Sequence, residues 1–105
     1  MSSTSLAALH HISRQVDVLR HERLVFVLAR KLDTDVSFEE VFVIRCEALD
    51  LTVWGQTLTE AEEALAFGFY SLYQNYYLEA DEQLAPDAQR LKALLHTLIL
   101  DTVQI

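Results

Sequence analysis

The hydrophobic positions of this 105-residue chain change period along its length. Leu9, Ile12, Val16 and Leu19 recur at i, i+3, i+7 and i+10, a helical spacing, and Thr4 or Ser5 can cap such a helix. A helix is expected from about residue 5 to 15, after a disordered start. The stretch QVDVL (15–19) also alternates like a strand, so residues 15–20 stay open between the two.

The pattern then turns to strands. RLVFVLARKL (23–32) is apolar on both faces, with Leu24, Phe26 and Leu28 on one and Val25, Val27 and Ala29 on the other. Such a strand needs cover on two sides. DTDVS (33–37) reads as a turn, and EEVFVIRCEAL (39–49) as a second strand with Phe42, Ile44, Cys46 and Ala48 facing one way. Asp50 marks a tight turn before a short third strand, LTVWG (51–55). Three strands joined by short turns predict an antiparallel meander.

A helix follows with a clear start. In Thr57-Leu58-Thr59-Glu60 the threonine hydroxyl and the glutamate carboxylate can cap each other's backbone N–H groups. The helix is expected to reach about residue 79. It carries a core stripe (Leu58, Ala61, Leu65, Phe69, Leu72, Tyr76) and a tyrosine flank (Ala66, Tyr70, Tyr73, Tyr77). A last helix is expected over 86–103, starting at Pro86, with a stripe of Leu91, Leu94, Leu95, Leu98 and Ile99. The expected fold is α+β in a single domain, 1–105: an antiparallel sheet of three to four strands, the long helix packed on it, and helices at both ends.

Composition narrows the function. The chain is 51% hydrophobic and 23% charged, as folded proteins are, and has only two glycines and one proline. Cys46 is the single cysteine, so no intrachain disulfide can form; a reducing, cytoplasmic setting is expected. No signal peptide and no apolar run of membrane-spanning length is read, so neither secretion nor a membrane is expected. The net charge is −8, and residues 57–105 hold eight acids against Arg90 and Lys92. That sign opposes phosphate backbones and complements a basic protein. No direct nucleic-acid binding is expected.

Candidate chemistry is sparse. His10, His11, His21 and His96 show no ligand spacing, so no metal is expected. Cys46 lies mid-strand among apolar neighbours and is read as a small buried hydrophobe. Glu60, Glu62 and Glu63 are read as helix-start charges. With Gly55 and Gly68 alone, no phosphate-cradling loop can be built. No catalytic residue and no cofactor is expected, and an enzyme is the third-ranked reading.

The segment from EEVFVIRCEALDLTVWG through QTLTEAEEALAFGFYSLYQNYY carries Gly55-Gln56-Thr57-Leu58-Thr59-Glu60-Ala61 between strand and helix. It resembles the HicB family of antitoxins, whose strands lead into a Gly-x-Thr-Leu-x-Glu-Ala motif that opens a helix. The resemblance covers about residues 23–79. Gly55, Thr57 and Glu60 would form its structural cap. LDLTVWG stands where the family has a Pro-Gly-Cys turn, and an acidic segment follows where many members carry a DNA-binding module. The resemblance implies a protein-interaction module that masks a small, basic ribonuclease toxin. The alternative is a homodimer of this fold without a toxin. Surplus apolar surface predicts a homodimer through Tyr70, Tyr73, Tyr77, Leu91, Leu94, Leu95 and Leu98.

Overall fold

A computed structural model describes residues 11–105. The elements run β1 (His11–His21), β2 (Leu24–Phe38), β3 (Phe42–Cys46), β4 (Leu51–Gly55), α1 (Leu58–Leu72), α2 (Pro86–Leu98) and β5 (Ile99–Gln104). The last turns of the long helix, Tyr73–Tyr77, are π-helical, and a 3₁₀ turn spans Asp81–Gln83. The sheet has the order β1-β2-β3-β4, with β5 also on β2. The fold is α+β, with an antiparallel sheet, a long helix and a C-terminal helix.

Two compact units make up the chain. The first holds residues up to Val16 and Leu32–Leu65; the second holds Asp17–Lys31 and Ala66–Ile105. In the first, Val36, Ile44, Cys46 and Leu49 are buried with Ala61 and Leu65 of α1. In the second, Phe26 and Leu28 of β2 are buried with Ala66, Phe69, Leu95 and Leu98. Phe69 meets Phe26 edge to face, with ring centroids 4.9 Å apart. This is the arrangement that aromatic quadrupoles favour.

The structure corrects both ends of the chain. Residues 11–15, expected to be helical, begin strand β1; residues 5–10 lie outside the described residues. Pairing with β2 outweighs the weak helical spacing. The Thr34 hydroxyl donates to the Arg14 carbonyl at 2.9 Å, Gln15 Nε2 donates to Asp33 at 2.9 Å, and His11 lies 3.2 Å from Asp35. These same contacts explain why DTDVS is strand rather than turn. Thr34 and Val36 face inward, while Asp33 and Asp35 reach across to β1.

The expected helix over 86–103 stops at Leu98, and residues 99–104 pair with β2 in the register Leu24↔Gln104 to Leu28↔Ile99. Ile99, Thr102 and Val103 are β-branched, and β2 offers them a free side. The second strand is shorter than expected. Phe42–Cys46 is paired, then Glu47–Leu49 tightens into a 3₁₀ turn and Asp50 takes a left-handed conformation at φ 52°. Aspartate tolerates that region better than most residues.

The start of α1 forms as the sequence predicts. Glu60 N–H donates to the Thr57 hydroxyl at 3.1 Å, and Glu60 Oε1 accepts from the N–H groups of Thr57 (3.2 Å) and Gln56 (2.9 Å). Thr57→Ala should therefore cost about 1 kcal/mol. Urea unfolding checks this; an unmoved midpoint would mean that the hydroxyl does no capping.

Candidate interaction surfaces

Direct pairing places Asp35, Arg45 and Thr52 in one row across β2, β3 and β4, and Ser37, Val43 and Trp54 in the next. Paired residues in an antiparallel sheet project to the same face. The other face carries Val36, Ile44 and Val53 inward toward the core of the first unit. On the outer face Trp54 is 66% exposed. The alternation Leu51-Thr52-Val53-Trp54 already put Trp54 on the side of Thr52.

A polar network lies on the same face. The Ser37 hydroxyl donates to Glu39 at 2.8 Å, and Arg45 donates to both Ser37 (3.1 Å) and Glu39 (3.2 Å). The Ser37 hydroxyl, then Arg45, hold the Glu39 carboxyl below the usual carboxylate range. A carboxylate with a lowered native pKa stabilises the fold above its unfolded pKa and loses that contribution as the pH falls through the native value. The network should therefore hold at neutral pH and loosen only as the pH drops below the ordinary 4.5.

The fold redistributes charge. The first unit collects nine carboxylates and two bases, Arg14 and Arg45, a formal net of −7. Both bases are already engaged: Arg14 pairs with Glu62 and Arg45 with Glu39, each at 3.2 Å. The second unit holds seven acids and six bases, a net of −1. The acidic region of the folded chain is thus 32–65 rather than the C-terminal half.

The second unit uses its tyrosines internally. Tyr70 lies against His21 at 4.6 Å, and Tyr73 packs edge-on against Phe26 at 5.0 Å. Tyr77 stacks on Tyr73 at 4.9 Å and on His96 at 4.1 Å. All three tyrosines are half-buried, as are Leu91 and Leu94, whereas Leu95 and Leu98 are 0% exposed. This removes Leu95 and Leu98 from the expected contact surface. Leu95 and Leu98 are consumed by the protomer's own core, and the tyrosine flank is partnered by two histidines and a phenylalanine. A cleft of about 260 Å³ between the β1–β2 turn and the helix is lined by His21, Arg23, Tyr70, Tyr73, Gln74 and Gln104, among others. Beyond it, Lys92 clamps the chain before α2, donating to the Glu79 carbonyl (2.6 Å) and pairing with Asp81 (2.8 Å).

Cys46 is 1% exposed, and burial pushes its thiol up from the usual value. A thiol held protonated and enclosed is a poor nucleophile. A thiol-reactive dye should label the native chain far more slowly than the urea-unfolded chain; equal rates would contradict the burial. Among the described residues no group of three or more His, Cys, Asp and Glu comes together as a metal site, and no helix is long and apolar enough to cross a membrane. No protein-family model, curated protein or solved structure matches the chain.

Proposed function

We propose that this chain is a HicB-like protein-interaction module that binds and masks a small basic partner, in the manner of an antitoxin against a ribonuclease toxin. One observation carries the reading: an exposed tryptophan lies on a sheet face of a unit with net charge −7. Tryptophan is the residue type most often found to dominate binding energy at interfaces. The unit's net negative charge favours a cationic partner and speeds its approach. The start of α1 supports the resemblance, since Gly55, Thr57 and Glu60 make the capped turn that the HicB motif implies.

The test is to mix the purified chain with a small basic protein encoded beside it. A stoichiometric complex that weakens with salt is expected. Trp54→Ala should loosen it at least about thirtyfold, the loss typical of an interface hot spot. No complex at low salt, or no neighbouring basic reading frame, favours the toxin-free homodimer. The chain alone should bind neither DNA nor RNA at physiological salt. Its net charge opposes phosphate, and the rings of Tyr70, Tyr73 and Tyr77 already pack against rings of the same chain. A sub-micromolar gel shift would overturn that expectation.

A further inference from the structure

The C-terminal strand has one side in use and one side open. The Ile105 N–H donates to the Arg23 carbonyl at 2.9 Å, in step with the β2–β5 register. Backbone groups alternate along an antiparallel strand. Val103 and Asp101 therefore bond toward β2, and Thr102 and Gln104 point the other way. Among the described residues β5 pairs with β2 alone. The Thr102 N–H has turned to the Asp101 side chain, 2.9 Å away, in place of a neighbouring strand.

Three exposed side chains of this segment are apolar. Leu100 is the most exposed large hydrophobic of the described residues, at 68%, and Val103 and Ile105 are exposed beside it. Leu100 is also the extra residue of a bulge, because Val27↔Asp101 is followed by Leu28↔Ile99. ILDTVQI carries one charge, no lysine and no proline, so it lacks two common guards of an edge strand. Strand β1 at the sheet's outer side is more heavily charged: Arg14, Asp17 and Arg20 lie along it.

From this edge we infer that β5 pairs antiparallel with β5 of a second copy, joining two sheets across a two-fold axis. An antiparallel pair of identical strands satisfies its own symmetry, since each outward N–H meets an outward carbonyl of its twin. Charge selects this occupant. The second unit is nearly balanced, with seven acids and six bases, so like copies can approach there. The first unit at −7 would repel its own copy. A basic peptide would find a single carboxylate, Asp101, along β5. The inference stands apart from the proposed basic partner, which concerns the face around Trp54.

The test is light scattering of the full chain at tens of micromolar, a range in which weak symmetric dimers form. The expected mass is twice the 12.0 kDa of one chain. Thr102→Pro removes an outward N–H without taking a hydrogen bond from β2, so it should halve the mass and leave the unfolding midpoint of the monomer in place. Val103→Lys puts a charge on each copy's edge and should raise the dissociation constant at least tenfold; it serves if the proline variant does not fold. A wild-type mass near 12.0 kDa overturns the pairing, with the edge left open or covered within its own protomer. So does a mass above the dimer, or a dimer that both variants leave intact.

Discussion

Phe69→Ala should destabilise the chain by about 3–5 kcal/mol. Phe69 is 0% exposed, and its ring is held edge to face by Phe26, which in turn meets Tyr73. Truncation leaves a void on the inner side of β2 where close-packed atoms stood. A helix-propensity gain of about 0.5 kcal/mol for alanine works in the opposite sense and is too small to compensate. A domain of this size has a total stability of roughly 5–15 kcal/mol, so the variant should be partly unfolded in mild urea. Phe69→Leu keeps much of the volume and should cost less than about 1.5 kcal/mol. Circular dichroism in a urea titration separates the two variants. Equal, small losses for both would show that the ring is not a packing element of the second unit.

Local signals were legible and long-range pairing was not. Strand β4 matches LTVWG, and the cap at Thr57 and Glu60 forms as written, because each is decided by residues within a few positions of one another. The helical reading of residues 11–15 and 99–103 failed for the opposite reason. Ile12, Val16 and Leu19 fit a helical period, and so does the run through Ile99, but each segment finds its strand partner in β2. Residue period carries no information about a partner that far along the chain, and pairing energy overrides propensity.

The candidate surfaces divide in the same way. The period placed Tyr70, Tyr73 and Tyr77 on a flank of the helix, yet could not name His21, Phe26 and His96 as their partners. Charge counted in chain order pointed to residues 57–105. Folding instead gathers Asp33 to Glu63 into one unit and lets Lys92 and Arg90 offset the carboxylates at Asp81 and Asp87. Trp54 shows what alternation could have yielded. Its face was fixed by Thr52 two residues earlier, while its exposure depends on what the folded chain packs against that side, which the period does not say.

Gly55→Ala should cost about 2–3 kcal/mol, through space rather than backbone conformation. Among the described residues no glycine has a positive φ, so alanine is not barred from the backbone angles of position 55. A Cβ there would fall onto the backbone nitrogen of Ala61 and lie 2.7 Å from the Glu60 carbonyl carbon. Neither is the movable end of a side chain, so the first turn of α1 must shift. That turn holds the Thr57–Glu60 cap and the bond from the Ala61 N–H to the Thr57 carbonyl at 3.1 Å. Overpacking of this kind costs about 1–3 kcal/mol. Lost capping adds roughly 1 kcal/mol. The smaller unfolded-state entropy of alanine returns about 0.4–1 kcal/mol. With a urea slope of about 1–3 kcal/mol per molar, the midpoint should fall by about 1 M or more. A double-mutant cycle sharpens the reading. Thr57→Ala should cost about 1 kcal/mol in the native background and close to nothing after Gly55→Ala, because the displaced turn no longer presents its N–H groups to the hydroxyl. Additive losses would mean that the helix start survives the substitution, and that glycine is not what lets the strand and helix meet so closely.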